Sequence, residues 1–139
     1  MATSTLRRPA RNTAVGPSGD AGQIMVAYNV ITLTGGLALN ETHPAVFLPA
    51  GARVHGVRMT TTDLDNGTAL VLALGDAVDV DRLMTGLTIG QAGGTSTVMA
   101  ATAAFTYTAP TAINITATTG AGTGVSGTVE VEVAYYVVP

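Results

Sequence analysis

From Pro44 to the C-terminus the chain alternates short Val-, Leu- and Thr-rich segments with turns made of Gly, Pro, Asp and Asn. Strands of about five or six residues, closed at both ends by turn-forming residues, are what such a rhythm encodes. About seven or eight such segments at this spacing predict an all-β fold, an antiparallel sandwich of the jelly-roll kind. At 139 residues the chain suits one domain. Hydrophobic residues make up 47% of it, aromatics only 4%, and tryptophan is absent. A core of Ala, Val, Leu and Ile packs sheets closely and is poorly suited to enclosing a large ligand.

Charged residues account for 11% of the chain, against about 25% in ordinary domains. So low a charge density defends a surface badly against association. Much of this surface is therefore expected to be covered, by copies of the chain or by a larger assembly. The net charge of −3 leaves the body without the electrostatic footprint of a nucleic-acid partner. Without cysteine there is neither a disulfide framework nor a thiolate metal site. Residues 1–22 lack the apolar core of a signal peptide, and no apolar run reaches the length of about 18–20 residues needed to cross a membrane. The expectation is a chain made and kept in soluble form, with no membrane partner.

Residues 1–22 show no periodicity and carry Pro9, Pro17 and several glycines, so they read as an extended N-terminal arm. The sandwich domain is placed at residues 23–139. Ordering an arm of about 20 residues costs on the order of 20–40 kcal/mol of backbone entropy. Contact with a neighbour could offset that, and about 70 Å of extended chain is enough reach. Arg7, Arg8 and Arg11 cluster in the arm. Their forked donors suit an acidic or carbonyl-rich protein groove.

In the body, residues 23–33 are apolar on both alternating faces, predicting a strand covered on both sides. Residues 45–48 form a short strand before the turn at Pro49-Ala50-Gly51. Residues 53–61 turn Val57 and Met59 one way and Arg58 and Thr60 the other. Asp65-Asn66-Gly67 predicts a tight hairpin, with residues 69–74 pairing back and Leu70, Leu72 and Leu74 on one face. Val80, Leu83, Met84 and Leu87 have helical spacing, with Asp76 or Asp79 as cap and Gly86 as stop, predicting one short helix over residues 78–86. Residues 91–97 read as a Gly-rich loop. Strands resume at residues 103–108, 112–118 and 128–138. In the last, Val129, Val131, Val133, Tyr135 and Val137 face one side. Glu130, Glu132, Ala134, Tyr136 and Val138 face the other, and Tyr136 and Val138 are candidates for a subunit interface.

Groups able to do chemistry are scarce. Gly122-Thr123-Gly124-Val125-Ser126-Gly127 matches the spacing of a dinucleotide loop, but a strand and not a helix follows it, so it reads as a turn. Asp76, Asp79 and Asp81 match no calcium loop, and Arg82 sits beside them, so capping explains them better. Asp63 and Asp65 suit a turn. His43 and His55 have no carboxylate or nucleophile pattern around them and read as turn or interface residues. The sequons at Asn40, Asn66 and Asn114 follow from abundant threonine. No catalytic, cofactor-binding or metal-binding residues are assigned, and an enzyme is not expected.

Several motifs, taken in order, resemble the capsid decoration proteins of tailed bacteriophages, also called cement or auxiliary head proteins. They are Leu48-Pro49-Ala50-Gly51-Ala52, Asp63-Leu64-Asp65-Asn66-Gly67-Thr68, Leu70-Val71-Leu72-Ala73-Leu74-Gly75-Asp76 and Asp79-Val80-Asp81-Arg82-Leu83. Phe105-Thr106-Tyr107-Thr108-Ala109 and the strand over residues 127–136 complete the resemblance, which spans roughly residues 44–138. It implies a β-sandwich that binds the outside of an expanded phage head, commonly as a trimer, and clamps capsomers together without catalysis. The implied partners are the major capsid protein and further copies of the chain, and the implied location is the capsid exterior. A head-fibre or receptor- or carbohydrate-binding module, or another phage structural subunit of tail tube or capsid, is the alternative. Arg7, Arg8, Arg11, Tyr136 and Val138 are the expected protein contacts.

Overall fold

The computed structural model describes residues 23–99 and 105–138. Among these residues there are eight strands: β1 (Met25–Leu33), β2 (Thr42–Leu48), β3 (Ala52–Thr61), β4 (Val71–Gly75), β5 (Met84–Leu87), β6 (Gly94–Met99), β7 (Thr111–Thr119) and β8 (Gly127–Val137). One sheet is ordered β1-β8-β3-β6 and the other β2-β7-β4-β5, all pairs antiparallel. The first strand thus lies beside the last, the second beside the seventh, the third beside the sixth and the fourth beside the fifth. A long hairpin rolled up on itself has this order, which is the jelly roll expected from the sequence. The expected arm, residues 1–22, lies outside the described residues.

Alternation explains which side chains meet between the sheets. Val129, Val131 and Val133 of β8, Val54, Val57 and Met59 of β3, Leu72 and Leu74 of β4, and Ile113 and Ile115 of β7 are all buried in one cluster. The inward positions of β3 change parity at His55, where the register with β8 shifts between Val54 and Gly56. This one-residue bulge lets Val54 and Val57 both face the core. The pattern over residues 53–61 was read correctly; the bulge within it was not visible.

Four local expectations fail, each for a tertiary reason. No hairpin forms at Asp65-Asn66-Gly67: the chain there leaves one sheet for the other, and β4 pairs with β7 and β5, not with β3. No helix covers residues 78–86. Gly75 packs against the backbone of Asp79 and Val80, where a Cβ would collide. The Asp76 N–H donates to Asp79 O at 2.9 Å and the Leu83 N–H to Leu74 O at 2.9 Å. The chain therefore folds back at once and runs on as β5, burying Leu83, Met84 and Leu87 from an extended backbone. The helix present among the described residues is a 3-10 turn at Ile89–Gln91. The loop expected over residues 91–97 is mostly strand β6. Within residues 105–108, the described part of the strand expected at 103–108, Thr106 makes an isolated bridge to Arg53.

Candidate interaction surface

The remaining mismatch concerns β1. It stands at the edge of its sheet among the described residues, and its outer side chains are open: Val26 is 58%, Tyr28 54% and Val30 45% exposed, and Ile24, just before the strand, is 51% exposed. Residues 23–33 were expected to be covered on both faces, yet only the face bearing Ala27, Ile31 and Leu33 packs on the core. Scattered apolar residues on a surface are ordinary, but a contiguous row of them marks an interaction site.

Neighbouring strands extend this row. Register places Val26 beside Ala134, Tyr28 beside Glu132 and Val30 beside Glu130 on β8. On the next strand, Gly56 lies beside Ala134, Arg58 beside Glu132 and Thr60 beside Glu130. The Arg58 guanidinium pairs with Glu132, which raises its pKa further. The Tyr28 hydroxyl donates to Glu130, and that bond raises the phenol pKa. Because of the bulge at His55, a concavity of about 160 Å³ opens between Val26, His55, Gly56, Arg58, Thr97 and Ala134. The face is therefore apolar at its β1 edge and carries a short polar ladder across its middle.

Tyr136 and Val138, singled out in the sequence, sit at the far end of this sheet and are half-buried. Tyr136 is in register with Arg53, and the Val138 N–H donates to Gly51 O at 2.9 Å. Arg7, Arg8 and Arg11 lie outside the described residues. The sequence reading missed Val26, Tyr28 and Val30 as surface groups, since residues apolar on both alternating faces look like a buried strand. His43 lies 3.7 Å from Glu41. The opposite sheet exposes Phe47 at 73% among Thr and small residues.

The acidic residues are used internally. Asp65 is buried and accepts from the backbone N–H groups of Gly67, Ala69, Leu70, Gly122 and Thr123 at 2.7–3.1 Å. The Thr123 N–H above all, joined by the others, holds its carboxyl far below the usual carboxylate range against the opposing effect of burial. The glycine-rich stretch at residues 122–127 thus aims its N–H groups at a buried aspartate and closes a turn. Asp76 accepts from the N–H groups of Val78 and Asp79 and from Arg82 Nε at 2.6 Å. Burial pushes its carboxyl up, but Arg82 and these N–H groups outweigh that and leave it lowered. Arg82 in turn lies 4.1 Å above the centre of the Phe105 ring. Among the described residues no group of three or more His, Cys, Asp or Glu could hold a metal ion.

No protein-family pattern and no curated protein sequence matches the chain. Solved structures do match. A chain of the cyanophage Pam1 capsid asymmetric unit superposes with a TM-score of 0.75 at 27% identity, over 98% of this chain and 100% of that one. A chain of the Ralstonia phage GP4 capsid does so with a TM-score of 0.73 at 24% identity, over 86% of each. A chain of the capsid of Helicobacter pylori bacteriophage KHP30 shares the fold at 14% identity and a TM-score of 0.58, over 83% of this chain and 89% of that one. By its fold, this chain is similar to chains of phage capsids.

Proposed function

We propose that the protein is a structural virion component, a decoration or cement protein that binds the outer surface of a phage head and stabilises contacts between capsomers. The observation that carries this reading is the likeness to a phage capsid chain over 98% of this chain and the whole of that one. The surface agrees with it. Asp65 and Asp76 are spent on backbone N–H groups and Arg82, whereas the open sheet face presents apolar side chains and a polar ladder suited to contact. The partners in this reading are the major capsid protein and further copies of the chain, with a trimer favoured. Affinity comes from many modest contacts repeated over the head, which high local concentration makes effective. No catalytic step is assigned.

The test is to mix the purified protein with phage heads that lack it and sediment the particles. Saturable co-sedimentation, with heads that withstand heating better once decorated, is the expected result. Protein that stays in the supernatant at all concentrations rejects the proposal. If such protein instead assembles by itself into tubes or shells, it is a building block of tail or capsid.

A further inference from the structure

Two features of the outer face of β1, β8, β3 and β6 specify the chemistry of what can sit on it. The first is the concavity of about 160 Å³ between Val26, His55, Gly56, Thr97 and Ala134. Gly56 and Ala134 are partners in register at its floor, and neither has a side chain long enough to fill it. A cavity of about 150 Å³ accepts a benzene ring, so this space takes one aromatic or branched aliphatic side chain. The second feature is charge. Glu130 and Glu132 share the face with Arg58. Arg58 pairs with Glu132, while Glu130 receives the Tyr28 hydroxyl and has no cation partner among the described residues. The other arginines among those residues are engaged elsewhere, Arg53 with Thr106 and Arg82 with Asp76. Any cation that meets Glu130 must therefore come from outside the described surface of this chain. Ala134 and Glu130 lie four residues apart on one face of β8, about 13 Å of strand.

Area decides what kind of partner brings these groups. Four strands spaced about 4.8 Å apart, over the roughly 20 Å from Val26 to Thr32, give a face of about 400 Å². A stable two-body complex buries about 800 Å² on each partner. A second copy docked on this face alone falls short of that, and its described surface offers no cation for Glu130. A surface that presents the same small contact many times compensates for weak single contacts by multivalency.

We infer that this face is the side turned toward the phage head. Its occupant is a segment of the head's surface protein that carries an aromatic or branched aliphatic side chain for the concavity and, about 13 Å away, a lysine or arginine for Glu130. The inference rests on the head-binding reading and adds the surface and the partner's chemistry to it. The test is co-sedimentation with heads that lack the protein, comparing the parent with Ala134→Leu, which fills the concavity, and Glu130→Gln, which removes the charge. Both variants should keep the parent's melting transition. Ala134→Leu should raise the half-saturating concentration at least about fivefold, as loss of a buried anchor does. Glu130→Gln should raise it about two- to fivefold, the range of an exposed ion pair, and should make binding less sensitive to salt. Phe47→Ser, on the opposite sheet, should bind like the parent. If Ala134→Leu does not fold, Val26→Ser tests the same concavity from its exposed rim. Parent-like binding by the concavity variant or by Glu130→Gln would overturn the inference while leaving head binding intact. Loss of binding in Phe47→Ser alone would also overturn it, by moving the contact to the other sheet. A parent that never sediments with heads rejects the head-binding reading itself. Finally, if analytical ultracentrifugation without heads shows an oligomer that these variants dissociate, the occupant is a second copy and the inference fails.

Discussion

Asp65 shows how one side chain can organise distant parts of the chain. Its carboxylate joins the crossover at residues 65–70 to the turn at residues 122–123. Because the folded carboxyl is held far below its ordinary value, the stability it contributes is fully present above an unfolded pKa of about 3.9. It is lost as pH falls below that toward the folded value. Asp65→Asn should lower the urea midpoint at neutral pH, and the gap from the parent should narrow below about pH 4. Asp76 and Asp81 are also lowered, so both proteins weaken in acid, the parent more steeply. Parallel midpoint-versus-pH curves would count against this role. Gly75 makes a second residue-level prediction: a methyl group there meets the backbone of Asp79 and Val80. Gly75→Ala should cost about 1–3 kcal/mol, as overpacking does, read as a lower melting temperature by calorimetry. Asp65 was legible only as a turn residue. Its five N–H partners include two far along the chain, which no local pattern announces.

At the scale of elements, a strand's two faces carry different duties. Met59, on the inner face of β3, is fully buried; Met59→Ala should cost about 2–5 kcal/mol in denaturant unfolding. Val26, on the outer face of β1, is 58% exposed. Val26→Ser should change folding stability by no more than about 0.5 kcal/mol, yet weaken attachment to heads if this face is the contact. A large loss of stability in Val26→Ser would mean that the face is packed within the folded chain. The misread helix at residues 78–86 belongs to this scale too. Val80, Leu83, Met84 and Leu87 have helical spacing, but Val80 is 41% exposed while the other three are buried. Pairing of β5 with β4 satisfies the backbone of this segment while burying those three side chains, and four apolar residues are too few for periodicity to discriminate.

For the whole molecule, eight strands in jelly-roll order and a core of buried side chains are present within the described residues. Removing residues 1–22 should leave the β-sheet circular dichroism and the melting transition in place and weaken attachment to phage heads. Unchanged attachment would exclude the N-terminal segment from head binding. Loss of the folded sandwich on truncation would instead make that segment part of the core.

The alternation of apolar and polar residues determined, without any structure, that the chain is all-β. It also correctly oriented Val57 and Met59, Leu70, Leu72 and Leu74, Ile113 and Ile115, and the Val129–Val133 row. Alternation is a local property of an extended backbone, and it survives whichever strands later pair. Which strands pair, where the chain crosses between sheets, and which apolar face is left open were decided by the tertiary structure alone. Those outcomes depend on contacts between residues far apart, such as Thr123 with Asp65 and Val26 with Ala134. An apolar strand covered on both faces and one with an open outer face are written in the same residues, and only the packing of the two sheets through their inner faces leaves Ile24, Val26, Tyr28 and Val30 as a surface among the described residues.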